Sequence, residues 1–271
     1  MEDMRVAMVT CRCPAGDFRR NLDNTVSWTL QAKSAGAAMV CFPELNISGY
    51  GLRFGDYRKV AEHFPDITAE LSGLAQRENM TVLAGTVRQD KTSDLLLPCH
   101  VTAFAHGGIE IYDKLHIAPP ETFSFVPGNS VPLFGDQRFR FGIQLCYDAH
   151  FPELSTRMAL MGADAIFFPH ASPRGATSQE KFDSWMRHLT ARAYDNGLFV
   201  AACNQSGDNG VGLAFQGVAL VIGPDGKIMD SLLGPDQMLV VDLPAAGLAN
   251  VRDHRMRYFL PNRRPDIYGT D

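Results

Sequence analysis

A cysteine, two glutamates and a lysine stand at points of this sequence where side chains can do chemistry. Cys146 ends the apolar run GIQLC and is followed at once by YDAHFPE, so the chain passes from strand to helix at the thiol. Such a turn exposes its side chain at a sheet edge, and the free amides that open the next turn can stabilise a thiolate or an oxyanion. Glu44, in CFPELNISGY, follows the apolar stretch 39–42 and a proline. A carboxylate there is costly to bury unless paired, and a partly buried one has the raised pKa that suits a base near neutral pH. Lys114 closes the strand-like IEIYDK, where a fixed cation could hold the oxyanion of a tetrahedral intermediate. Glu121, in PPETFSFVPG, is a loop carboxylate. Taken singly, each has a plainer reading: an inert core thiol, a capping glutamate, a solvated lysine and an exposed acid.

The elements that must position these groups are readable from periodicity. Apolar runs predict strands over 5–10, 38–42, 81–87, 96–105, 109–112, 140–145, 165–168, 198–203, 217–222 and 239–241. Helical spacing predicts helices over 21–35, 68–79, 152–161 and 180–196, with Thr68 as an N-cap and with Gly36 and Gly162 as stops. Leu22, Val26, Trp28, Leu30 and Ala32 would share the buried face of the first helix. His106-Gly107-Gly108 and Pro224-Asp225-Gly226 read as hairpin turns.

The two halves echo each other. GAAMVCFPE (36–44) lies over GADAIFFPH (162–170) without a gap, and RVAMVTC (5–11) resembles RFGIQLC (140–146). Two strand–helix–strand units of one design predict a single α/β domain over 1–271, with two packed sheets, helices outside and an internal pseudo-two-fold repeat. The repeat sets Cys146, Glu44 and His170 just beyond the ends of equivalent strands, where open α/β sheets place their sites.

Composition narrows the function classes. Hydrophobic residues make up 45% of the chain and charged residues 20%, which is globular rather than disordered. A net charge of -5 gives no reason to expect nucleic acid, and the Arg-rich stretch 252–264, broken by Asp253, Pro261 and Pro265, reads as a packed tail. No apolar run approaches a membrane span, and the N-terminus lacks the pattern of a signal peptide. Six scattered cysteines, several inside apolar runs, point to a reduced cytoplasmic protein rather than a disulfide framework. Cys11 and Cys13 lack the further ligands of a structural zinc site, so no metal is expected.

Four separated motifs together resemble the nitrilase superfamily of carbon–nitrogen hydrolases over nearly the whole chain. FPELNISGY looks like the family's first glutamate motif, YDKLHI its lysine motif, ETFSFVPG its later glutamate motif and CYDAHFPE its nucleophile motif. The pattern Arg192-Ala193 with Asn196, the pair Asn204 and Gly207, and the tail RRPDIY are similar to the family too. The resemblance implies a four-layer α-β-β-α sandwich with no cofactor, a homodimer or higher homo-oligomer, and a tail from about 245 packed on a partner subunit. It implies Cys146 as nucleophile, Glu44 as general base, Lys114 and a backbone amide such as that of Tyr147 as oxyanion donors, and Glu121 as an orienting group. The small-molecule substrate implied is an amide or N-carbamoyl compound, since Tyr147 follows the nucleophile where true nitrilases usually carry Trp. A nitrile is the alternative within the class, and a silent scaffold on this fold the alternative outside it. His150, Thr156 and Ala219 depart from the residues usual at their positions. Tyr50, Tyr147, His150, His170 and Arg174 are the candidates for contacting the substrate.

Overall fold

In the strand β1 (Met4–Thr10) every residue from Val6 to Thr10 is buried, so alternate side chains must be covered from two directions. The computed structural model, which describes residues 1–268, supplies that cover with a second sheet on one face and helices on the other. The first half continues through α1 (Phe18–Ser34), β2 (Met39–Cys41), α2 (Phe54–Glu62), α3 (Phe64–Glu78), β3 (Thr81–Gln89), β4 (Leu96–Ala103) and β5 (Ile109–Asp113). The second runs β6 (Phe134–Gly135), β7 (Arg140–Ile143), α4 (Pro152–Leu160), β8 (Ala165–His170), α5 (Ser178–Met186), α6 (Leu189–Asn196) and β9 (Phe199–Asn204). A small ribbon of β10 (Gly207–Asp208) and β11 (Ala214–Phe215) follows, then β12 (Val218–Ile222), β13 (Ile228–Leu233), β14 (Gln237–Leu243), α7 (Ala245–Arg252) and α8 (Pro265–Tyr268). The last three residues of the tail expected to meet a partner lie outside the described residues.

The strand orders are β14-β1-β2-β3-β4-β5 and β13-β12-β9-β8-β7-β6. In each sheet three strands run parallel (β1, β2, β3 and β7, β8, β9) and antiparallel strands flank them. The repeat seen in the sequence is therefore a repeat of topology. Val6 and Met8 enter a core shared with Ile143, Phe167 and Val200 of the other sheet, whereas Ala7 and Val9 pack with Leu22 of α1 and Leu71 of α3. Helices α4, α5 and α6 cover the second sheet through Met158, Trp185 and Leu189, which completes the α-β-β-α layering.

Several expectations are corrected. The strand expected at 239–241 to complete the second half pairs instead with β1, so the chain returns to the first sheet before its tail. The helix expected from 68 starts at Phe64 with Pro65 in its first turn, and Thr68 lies inside it with its hydroxyl donating to the carbonyls of Phe64 and Pro65. Helix α2 and strand β13 were not expected; β13 is exposed along nearly its whole length and carries no alternation to read. The helix over 180–196 is two helices broken at Arg187 and His188, where His188 adopts φ −131°. In α1 the buried stripe is Leu22, Thr25, Thr29 and Ala32, while Leu30 points to solvent. The threonines tolerate burial because each hydroxyl donates to the carbonyl four residues back, at 2.8 Å.

One close approach fixes the Glu44 loop against the sheet. A Cβ on Gly85 of β3 would stand 2.4 Å from the Leu45 nitrogen and 3.1 Å from the Glu44 carbonyl carbon, so only glycine lets the loop lie there. Gly85→Ala is expected to cost about 1–3 kcal/mol of stability through this overlap with backbone. Urea unfolding checks it; an unchanged midpoint would show that the loop yields freely.

Candidate active site

Glu44 leaves β2 through Phe42 and Pro43 and is fully buried. Two side chains pin its loop. Asn46 accepts the Gly85 N–H at 2.7 Å and donates to Thr25 Oγ1 at 3.0 Å, and Gln205 donates to the Glu44 carbonyl at 2.8 Å. Lys114 follows β5, and its Nζ stands 2.8 Å from Glu44 Oε1 and 2.8 Å from Glu121 Oε2. Glu121 Oε2 also accepts the Ala118 N–H at 3.1 Å, and its Oε1 accepts the Tyr50 hydroxyl at 2.9 Å.

These are three charged groups out of water, two negative and one positive. Burial pushes the Glu44 carboxyl up to about 7, with Lys114 pulling the other way and Glu121 adding to the rise. Burial alone would depress the Lys114 ammonium, but the Glu44 and Glu121 carboxylates outweigh it and hold its pKa well above the usual lysine range. Lys114 thus stays charged while Glu44 is poised to exchange a proton near neutrality. Two of the three Lys114 N–H groups are used on carboxylates, leaving one free for a ligand.

Cys146 begins a single 3₁₀ turn, Cys146–His150, after β7. Its φ is +43°, in the left-handed region, and Leu45, directly after Glu44, has φ +53°. Non-glycine residues in this region cost of order 1–3 kcal/mol each and persist where surrounding structure dictates them. The Ala171 N–H donates to Glu44 Oε2 at 3.0 Å and also lies close enough to favour the Cys146 thiolate, so base and thiol are neighbours. Burial, with the Glu44 charge, nevertheless drives the thiol pKa up, and Cys146 is a neutral thiol at physiological pH. At the start of the turn the Tyr147 N–H bonds to no backbone carbonyl among the described residues.

Asp148 holds this turn and was not singled out from the sequence, although it is the third residue of the CYD motif. It is fully buried and both oxygens are doubly used. Oδ1 accepts the His116 N–H and Nδ1–H at 2.8 Å each, and Oδ2 accepts the Leu145 N–H and the Tyr112 hydroxyl at 2.9 Å each. Arg192 of α6 adds bonds from Nε and Nη2 to the Ala149 carbonyl at 3.2 and 3.0 Å.

A cavity of about 530 Å³ opens onto the thiol. Cys146, Glu121, Tyr50, Tyr147, His150, His170 and Arg174 are all on its wall, whereas Glu44 and Lys114 lie behind it. His170 is buried against Trp185, and its Nδ1–H donates to the Phe168 carbonyl at 2.8 Å. Burial drives its pKa well below the usual range, so it is a neutral ring whose remaining nitrogen accepts. His188 is lowered to about 4 by burial, with the neighbouring His150 and Arg192 adding to it. Lys181 also lines the cavity and was missed, though it stands one helical turn before the buried Trp185 on the same face. No cluster of three or more His, Cys, Asp or Glu side chains arranged to hold a metal ion occurs among the described residues.

The family model described as carbon-nitrogen hydrolase matches residues 5–253. The chain belongs to the carbon–nitrogen hydrolase family. Among curated relatives of this carbon–nitrogen hydrolase, a probable nitrilase of Schizosaccharomyces pombe is 27% identical over 262 residues, covering 93% of this chain and 92% of its own. An omega-amidase of Bos taurus is 27% identical over 264 residues, with coverage of 93% and 92%. The crystal structure of an amidase from Nesterenkonia sp. matches with a TM-score of 0.83 at 27% identity, over 98% of this chain and 95% of that one. A variant of that amidase shows covalent addition of the acetamide moiety of fluoroacetamide at its active-site cysteine.

In this hydrolase Asp148→Asn puts an amide nitrogen against two donors whichever way the side chain is turned. The expected result is a loss of about 1–3 kcal/mol in urea unfolding. A fall in turnover of about a hundredfold should accompany it as the nucleophile turn shifts. Wild-type stability and rate together would remove the positioning role given to Asp148.

Proposed function

We propose that the protein hydrolyses the C–N bond of a small amide or N-carbamoyl compound through a thioester on Cys146. The observation that carries this reading is the buried Glu44–Lys114–Glu121 set beside a thiol that lines a cavity. Because the thiol is neutral and Glu44 ionises near 7, the attack moves a proton. Sγ adds to the carbonyl carbon as its proton passes to Glu44, and the carbonyl oxygen becomes an oxyanion. The free Lys114 N–H and the Tyr147 N–H are the donors placed to hold that charge. Glu44 then returns the proton to the leaving nitrogen, the C–N bond breaks, and the amine or ammonia departs. A water that gives its proton to Glu44 attacks the thioester, and collapse releases the acid and restores the thiol. Glu121, fixed by Tyr50 and Ala118, keeps Lys114 aimed. The covalently modified cysteine of the Nesterenkonia amidase supports a cysteine nucleophile in an amide-accepting site.

The same proposal has one catalytic unit per chain working in the cytoplasm as a homodimer, with the tail on the partner. Six unpaired cysteines support the compartment. The exposed Met256, Ile267 and Tyr268 of the tail support the packing.

Cys146→Ala should abolish ammonia release while leaving the circular dichroism spectrum unchanged. Intact-protein mass spectrometry during turnover should show an acyl adduct on the wild type and none on the variant. Turnover of nitriles alone across a panel of amides, carbamoyl compounds and nitriles would reject the amide reading. The rise of the Glu44 pKa to about 7 gives a second expectation. Glu44 takes the proton only when ionised, so kcat/KM should fall as pH drops through about 7. A profile flat from pH 5.5 to 8 would assign the base elsewhere.

A further inference from the structure

Lys181 has an environment that its fold does not explain. It is 3% exposed, on the inner face of α5 one turn before Trp185, and it lines the cavity that opens onto Cys146. Its Nζ makes one hydrogen bond, to Ser172 Oγ at 2.7 Å, and no carboxylate lies within ion-pairing reach of it among the described residues. An ammonium has three donors and a full charge, and burying it without a counter-ion is among the more costly things a fold can do. Lys114 faces the same cost and meets it with two carboxylates; Lys181 meets it with a hydroxyl.

We propose that Lys181 is a specificity-determining residue whose ammonium receives a carboxylate carried by the substrate. The inference rests on the amidase reading above and adds the charge of the amide to it. The cavity wall agrees in sign. Among the described residues its one acidic side chain is Glu121, already held by Lys114 and Tyr50, while Arg174 stands at its exposed rim. The neighbouring rings do not compete for the anion. His170 presents an acceptor nitrogen, and burial keeps His170 and His188 uncharged near neutrality. Among the described residues Lys181 is the buried cation on the cavity wall that has no carboxylate, which matches one negative charge. A neutral amide would leave that ammonium buried and unpaired, so the site discriminates against it. Burial lowers the Lys181 pKa to about 8, with Cys146 opposing and Arg174 adding to the shift, as expected of a cation waiting for an anion.

The test compares anionic and neutral partners of the same shape: succinamate with butyramide, and N-carbamoylglycine with ethylurea. Calorimetry on the Cys146→Ala protein should show the anionic member of at least one pair binding at least ten times more tightly. Which pair responds tells on which side of the scissile bond the charge sits. Lys181→Met keeps an unbranched side chain one atom shorter and removes its charge. It should raise KM for the preferred anion by ten- to a hundredfold, leaving kcat and the KM for its neutral partner within about threefold. Equal binding within both pairs overturns the proposal even if Lys181→Met fails to fold, and so does an equal loss on anionic and neutral substrates. The two readings fail separately. Preference for the anion in binding without any turnover by the wild type would sink the amidase reading and leave the subsite. Turnover of neutral and anionic amides with the same KM would do the reverse.

Discussion

The structure turns on one buried ammonium. Lys114 touches a carboxylate from the end of β2 and another from the loop after β5, and all three groups are shielded from water. Removing the cation would press two carboxylates together in a low-dielectric space, a change that typically costs several kcal/mol. Burial lifts the Glu44 carboxyl to about 7, and because the fully ionised set carries one net negative charge, Lys114 opposes that rise without cancelling it. A second buried cation at this point would neutralise the surplus and leave a weaker base. The stoichiometry of two acids to one lysine is thus a chemical setting as well as a structural bond.

Around that set the backbone is held rather than relaxed. Leu45 and Cys146 both take left-handed conformations, and each is fastened by one side chain close in sequence and one distant: Asn46 and Gln205 on one side, Asp148 and Arg192 on the other. The fastening groups are buried. Their cost in conformational freedom is met by the burial of the sandwich core.

Much of this was legible in the sequence. The duplicated GAAMVCFPE and GADAIFFPH segments announced equivalent strands because fully buried strands are spelled as apolar runs. Glu44, Lys114, Glu121 and Cys146 stood out through their motifs, and the structure brings them to one place. What was not legible depends on partners distant in sequence. Strand β14 carries no mark that it pairs with β1 rather than with its neighbours, and β13 is a strand by virtue of β12 alone. Lys181 reads as an ordinary helical lysine, and only the cavity on the far side of α5 shows that its face points inward. The break at His188 has the same origin, since periodicity continues across it while the backbone does not.

The split of the site between the two repeats has a consequence for how the chain comes into being. Glu44 and Lys114 belong to one sheet, Cys146 and Ala171 to the other, and the Ala171 N–H bond to Glu44 spans the seam. A nascent chain with only β1 to β5 made has a base and no nucleophile. One with a loosened seam has a thiol parted from its general base. On the proposed mechanism, nucleophilic power arises only when the sandwich closes, so immature or damaged copies are chemically quiet toward the amides around them.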